Sequence, residues 1–277
     1  MNDPWRFIDT GASSPFFNMA LDEALFLSSS ETSKPILRVF DWSKPSISTG
    51  YFQDPRKTLN VDFCKKEGID IVRRITGGRA VYHENEITYS IVIPSKSRFF
   101  KNNNLELYRV LSDGLLLGLR TIGLHVNLVK PKKGRSEYQN RGNCFSSTSA
   151  YEITVDGKKI VGSAQKWTKR GVLQQGSILL GMDLKRINQI FNRGHVCKNF
   201  DTGFTTMFEI LNYIPERGSI IRSLLQGFKE ALGISIIESK TDERELNLAS
   251  YLLEKKYSTD DWNFNKINPC KRLNLNQ

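Results

Sequence analysis

The chain has 277 residues, 39% of them hydrophobic and 25% charged, which suits a soluble globular protein with a sizeable core and excludes a disordered or collagen-like chain. Forty Lys and Arg against 29 Asp and Glu leave a net charge of +11, which points either to an acidic partner, nucleic acid or protein, or to simple solubility; no zinc-finger or RNA-recognition signature accompanies it. No apolar run approaches the roughly 20 residues of a membrane span, and the polar start through Arg6 lacks the apolar stretch of a secretory leader, so a cytoplasmic protein without a membrane partner is expected.

In chain order, residues 16–27 read as an amphipathic helix entered through Ser13, Ser14 and Pro15. Residues 36–40 and 46–50 read as short strands split by Lys44 and Pro45. A strand over 70–75 leads into a turn at Thr76-Gly77-Gly78-Arg79, and another over 87–93 stops at Pro94. Helical spacing of Leu, Tyr and Ile predicts a helix over 105–122. A basic loop, 130–135, carries Lys130, Lys132, Lys133 and Arg135. Asp156-Gly157 between strand-like runs at 151–155 and 158–164 is a strong hairpin signal. A strand over 177–180 follows, then helices near 219–232 and 242–257. Strands mixed with separated helices predict an α+β fold with mixed or antiparallel sheets flanked by helices. No Pro/Gly-rich linker divides the chain, so one domain spanning 1–277 is expected.

Three segments carry candidate chemistry. Gly77 and Gly78 let the backbone approach a ligand closely, with Arg73, Arg74 and Arg79 around them to meet a carbonyl, carboxylate or phosphate; a plain turn with exposed arginines fits the same residues. No Gly-Lys-Ser/Thr follows, so the turn is not a P-loop. His83, just beyond, has no nucleophile next to it in sequence and is assigned to pocket shape or substrate positioning. Cys144 sits in the polar run Asn143-Cys144-Phe145-Ser146, where a thiol is accessible; it is either idle or, near a cation, a thiolate nucleophile. Lys159 on the hairpin is either a solvated strand lysine, as Lys158 is expected to be, or a partner of that thiol. If Asp156-Gly157 is a two-residue turn, Lys159 lies opposite Thr154, and the loop holding Cys144 must double back across roughly 33 Å of extended chain to reach it. The small residues Gly162, Ser163 and Ala164 permit close ligand approach. The cysteines Cys64, Cys144, Cys197 and Cys270 form no C-x-x-C pair, and with only His83, His125 and His195 beside them no metal site is expected.

The segment from Arg73 to His83, with Thr88-Tyr89-Ser90, resembles the signature of the biotin/lipoate protein ligase superfamily. Lys159-Ile160-Val161-Gly162-Ser163-Ala164 resembles its lysine segment, Asn18-Met19-Ala20-Leu21-Asp22-Glu23 its first helix, and Tyr257 to Trp262 its closing segment. Cys144-Phe145 before the hairpin makes the chain most similar to the octanoyltransferase branch of bacteria such as the bacilli; ATP-using ligases have Asn-Asp there. Gln174-Gln175-Gly176-Ser177 departs from that branch, in which a His precedes Gly-Ser.

The resemblance implies a ligase-like catalytic domain that moves octanoate from acyl carrier protein to a lysine of a lipoyl-domain protein. That acceptor is the glycine-cleavage H protein or a 2-oxo acid dehydrogenase E2. Cys144 would be the nucleophile and Lys159 its electrostatic partner. Arg73, Arg74, Thr76, Gly77, Gly78, His83, Gly162, Ser163 and Ala164 would line the substrate site. No cofactor is implied, the acyl group arriving on phosphopantetheine, and no nucleic acid. An ATP-dependent lipoate ligase, an amidotransferase between lipoyl domains, and an inert lipoyl-domain or nucleic-acid binding protein are the competing readings.

Overall fold

The computed structural model describes residues 4–100, 103–129, 152–191 and 203–270. In chain order the described strands are β1 (Trp5–Ser13), β2 (Ile36–Trp42), β3 (Ser46–Thr49), β4 (Asp70–Arg73), β5 (Val81–His83), β6 (Glu86–Pro94), β7 (Asn127–Leu128), β8 (Ile153–Val155), β9 (Lys158–Lys159), β10 (Val161–Thr168), β11 (Gly171–Leu179) and β12 (Ile236–Glu238). The described helices are α1 (Pro15–Ser28), α2 (Pro55–Thr58), α3 (Val61–Lys66), α4 (Asn104–Thr121), α5 (Leu184–Ile190), α6 (Met207–Leu211), α7 (Arg217–Leu232), α8 (Glu243–Leu252) and α9 (Asp260–Asn263). None is long and apolar enough to cross a membrane.

The principal sheet runs β10-β11-β6-β2-β1-β12 and is mixed: β1 lies parallel to β2 and β12, while β2, β6, β11 and β10 alternate in direction. Side chains alternate faces along each strand. Leu37, Val39, Tyr89, Ile91 and Ile93 therefore meet Leu111, Leu115, Leu224 and Phe228 from α4 and α7 on one side. Ile36, Phe40, Val92 and Leu173 meet Met19, Leu21 and Leu25 of α1 on the other, with α8 packed outside α1. The fold is thus the expected α+β arrangement, with the sheet covered by helices on both faces.

Local chemistry explains the elements that carry the site. Ser14 Oγ accepts from Phe17 N at 3.2 Å and Pro15 opens α1, so the helix starts where the sequence places it. α4 and α7 approach at their glycines: a Cβ on Gly227 would fall 2.2 Å from Gly118 N. The hairpin of β8 and β9 turns at Asp156 and Gly157, both at positive φ, and pairs Thr154 with Lys159 as expected.

Several elements differ from expectation, β1, β11 and the last long helix among them. β1 is an inner strand of the main sheet that the sequence pattern did not mark; its polar tail ends in a bulge between Asp9 and Ala12. β11 begins at Gly171, not at 177, because Gln174 and Gln175 are buried and hydrogen-bonded within a strand whose polarity disguised it. The last long helix gives way at Leu253–Tyr257 to a π-helical turn that presents Lys256 and Tyr257 to Glu23.

A candidate active site between two sheets

A smaller sheet, β4-β3-β5, stands against the α1 face of the principal sheet. An open cleft lies between them. Its walls include Met19 of α1, Phe40 and Trp42 of β2, Thr88 of β6, Gly162 to Ala164 of β10, and Gln175 to Ser177 of β11, with Ser48, Arg74, Val81 and His83 facing them. The register puts Gly162, Ser177, Thr88 and Phe40 in one row across four strands, and Ala164, Gln175, Ser90 and Arg38 in another.

The glycine turn is built from within. Arg74 is buried and spends its guanidinium on the backbone: Nη2 donates to Gly77 O (2.8 Å) and Arg79 O (2.7 Å), and Nη1 to Ser48 O (2.9 Å). Arg73, 1% exposed, points away from the cleft and donates to the carbonyls of Tyr51 (2.9 Å), Gln53 (2.6 Å), Trp262 (2.9 Å) and Asn263 (3.1 Å). The indole N–H of Trp262 returns a bond to Arg73 O at 2.8 Å, so the closing Tyr257 to Trp262 segment is latched to β4. Arg73 and Arg74 are therefore internal struts of the turn and not an exposed cationic fringe, while Arg79 is half-buried. Gly78 takes φ +84°, and its carbonyl sits where a Cβ on Gly50 would lie 1.9 Å away. Gly77 has open space around it.

Two polar networks meet the cleft. At one end, Asp22 and Arg38 form a fully buried pair at 2.7 Å, joined by Ser90 and by Gln175 Nε2, each 2.7 Å from an Asp22 oxygen. Gln175 Oε1 accepts from Thr76 Oγ1 at 2.7 Å, which ties the glycine turn to α1. Burial draws Arg38 below the usual guanidinium range, against the opposing pull of Asp22. At the other end, His83 Nε2 lies 2.7 Å from Ser48 Oγ and Nδ1 lies 2.6 Å from Glu86 Oε1, with Trp42 stacked on the imidazole at 3.9 Å. Thr88 and Ser177 hydroxyls also donate to Glu86. Burial opposes ionisation of Glu86, but the His83 charge and the donors of His83, Ser177 and Thr88 outweigh it and hold the carboxyl below its ordinary value of 4.5.

Lys159 is buried whereas Lys158 is exposed. Its Nζ lies 2.6 Å from Glu152 Oε1, and its backbone is held by Gly203 O and Thr205 N, each at 2.9 Å. Leu179 pairs with Glu86 in the sheet and bonds to Ile160 O, so the register brings Lys159 to the same end of the sheet as the His83–Glu86 pair. The structure thus gathers Arg74, His83, Gly162, Ser163 and Ala164 at the cleft, keeps Thr76, Gly77 and Gly78 in the adjoining turn, and sets Arg73 behind it. Cys144 and the loop 130–135 lie outside the described residues. Among the described residues, no three His, Cys, Asp or Glu side chains cluster to hold a metal ion. Sequence reasoning passed over Ser48, Glu86 and Glu152. The available signal was polar residues facing inward on otherwise apolar strands.

The family model for the lipoyl protein ligase A/B catalytic domain matches residues 14–229. The chain is 35% identical over 275 residues to octanoyltransferase LipM of Bacillus subtilis, covering 95% of this chain and 99% of that protein. The chain belongs to the lipoyl protein ligase A/B catalytic-domain family. Octanoyltransferase LipM of Anoxybacillus flavithermus, 36% identical over 95% of this chain and 98% of its own length, places it on the octanoyltransferase branch, and it is an acyltransferase. Among solved structures, lipoate-protein ligase A bound with ATP superposes with a TM-score of 0.79 at 26% identity, covering 94% of this chain and 98% of that one. A bipartite lipoate protein ligase of Thermoplasma acidophilum, studied with its E2 lipoyl domain, gives 0.74 at 25% identity, covering 94% and 96%.

Proposed function

We propose that this chain, as one catalytic domain in the cytoplasm, transfers an octanoyl group from octanoyl-acyl carrier protein to a lysine of a lipoyl-domain protein. The acceptor is a glycine-cleavage H protein or a 2-oxo acid dehydrogenase E2. The observation that carries this reading is the near full-length similarity to octanoyltransferases LipM; the largely apolar cleft, with the buried Lys159 at the same end of the sheet as His83, agrees with it.

The chemistry follows in two balanced steps. The Cys144 thiolate attacks the thioester carbonyl, a new C–S bond forms, and the C–S bond to phosphopantetheine breaks, its sulfur leaving as the thiolate. One thioester replaces another, so the step is nearly isoenergetic. The acceptor amine then attacks the acyl-enzyme, a C–N bond forms, and Cys144 leaves as the thiol. Lys159 supplies positive charge to the oxyanion of each step and to the thiolate. The cleft walls from Met19 to Ala164 hold the acyl chain. The net charge of +11 favours encounter with acidic protein partners.

The likeness to an ATP-bound ligase supports a second reading, an ATP-dependent lipoate ligase. One experiment separates the two. Incubation with octanoyl-acyl carrier protein in the absence of ATP should add one octanoyl mass, mapped to Cys144, and Cys144→Ala should add none. Transfer that proceeds only with ATP and free acid, or undiminished through Cys144→Ala, overturns the proposal.

A further inference from the structure

Acyl transfer to lysine meets an obstacle that the thiol step does not. The acceptor amine is an ammonium at neutral pH, with an ordinary pKa near 10.4, and has no lone pair until a proton is removed. A proton acceptor is needed for that step, and the Ser48–His83–Glu86 chain on the cleft wall offers one.

Hydrogen-bond accounting fixes its polarity. A carboxylate only accepts, so His83 Nδ1, 2.6 Å from Glu86, carries a hydrogen in either charge state, and when the ring is neutral Nε2 holds the lone pair. Ser48 Oγ lies 2.7 Å from Nε2 and donates its hydrogen there when the ring is neutral. Arg74 Nη1 donates to Ser48 Oγ at 3.0 Å and uses one of the two hydroxyl lone pairs. Among the described residues nothing else donates to Ser48 Oγ, which leaves the second lone pair for a donor entering the cleft that Ser48 and His83 both line. Trp42 stacks on the ring and holds it in register. The charged groups around the imidazole are Arg74 on the Ser48 side and Glu86 behind it. Asp41, at the end of β2, senses the Glu86 charge, and the Lys159–Glu152 pair lies at the same end of the sheet.

We infer that Ser48, His83 and Glu86 form a proton relay that deprotonates the acceptor lysine. This rests on the acyl-transfer reading above. The ammonium donates to the open lone pair of Ser48. Ser48 takes that proton and passes its own to His83 Nε2, and the imidazolium is held against Glu86. The freed amine attacks the thioester carbon, the C–N bond forms and the C–S bond breaks. The departing thiolate takes the second amine proton, and His83 returns the first to water.

The test compares two acceptors of the same octanoyl group. Transfer from octanoyl-acyl carrier protein to glycine-cleavage H protein requires deprotonation of an ammonium. Transfer to hydroxylamine, already unprotonated at neutral pH, does not. In Ser48→Ala, and separately in the shape-preserving Glu86→Gln, the ratio of lysine transfer to blank-corrected hydroxamate formation should fall on the order of 100-fold at pH 7, the size of a general-base contribution. The ratio should recover as pH rises toward the amine's own pKa, a change that a purely structural defect does not produce. Equal losses with both acceptors at every pH, or an unchanged ratio in both variants, overturns the relay. An unaltered chain that forms neither octanoyl-lysine nor octanoyl hydroxamate overturns the acyl-transfer reading itself.

Discussion

Lys159 Nζ and Glu152 Oε1 lie 2.6 Å apart with both side chains buried, so the proposed catalytic cation is held by a carboxylate seven residues earlier in the same hairpin. Breaking such a pair from one side is destabilising by about 3–5 kcal/mol. Lys159→Ala should therefore lower the melting temperature and slow transfer on the order of 100-fold through loss of an oxyanion contact. Combining Lys159→Met with Glu152→Gln should restore much of the melting temperature and none of the rate. A double variant that regains transfer would reduce Lys159 to a structural residue.

Gly50 and Gly77 make a matched pair for the glycine turn. A Cβ at Gly50 would stand 1.9 Å from Gly78 O, a backbone atom, whereas one at Gly77 meets nothing within 4 Å. Gly50→Ala should destabilise the chain by about 1–3 kcal/mol or more, as overpacking does. Gly77→Ala should change stability little. Denaturant midpoints of the two variants check the contrast.

Glu86 sets an acid limit. Its folded-state pKa lies below its ordinary value of 4.5, so its stabilising contribution is complete above that value and is lost as pH falls through the lower folded value. Glu86→Gln should be less stable than the unaltered chain at neutral pH, with the gap closing below about pH 4.5 as the native carboxyl takes up its proton. Unfolding midpoints across that window give the sign directly.

The thiols should separate by burial. Cys64 is fully buried, and desolvation pushes its thiol up to about 11; desolvation also raises Cys270. Near neutral pH, iodoacetamide should leave Cys64 unmodified in the folded chain. Alkylation that abolishes transfer should map to Cys144, and prior octanoylation should protect it. Inactivation that tracks modification of Cys64 would contradict this assignment.

Where backbone preference acts over a few residues, the amino-acid order was enough. Ser14 and Pro15 start α1, Asp156 and Gly157 turn the hairpin, and that turn alone places Lys159 across from Thr154. The cleft residues His83 and Gly162 to Ala164 were legible as well, because small or aromatic polar groups beside a glycine turn mark a place where a ligand approaches. β1 and the first half of β11 were not, since their inward polar groups are satisfied by partners far along the chain: buried Gln175 by Asp22 and Thr76, half-buried Arg6 by Glu245.

Only the tertiary structure decided what the charged residues do. Arg73 and Arg74 look like exposed cations beside a loop, yet each is buried and consumed by carbonyls. Ser48 and His83 are 35 positions apart, and Ser177 reaches Glu86 across 91. Such contacts depend on which strands pair and in what register. Register is set by burying apolar faces on both sides of the principal sheet, an energy spread over the whole fold. The sequence by itself determined the local turns, caps and strand runs and the family they mark; the placement of protons and charges around the cleft waited on the packing that brings those strands together.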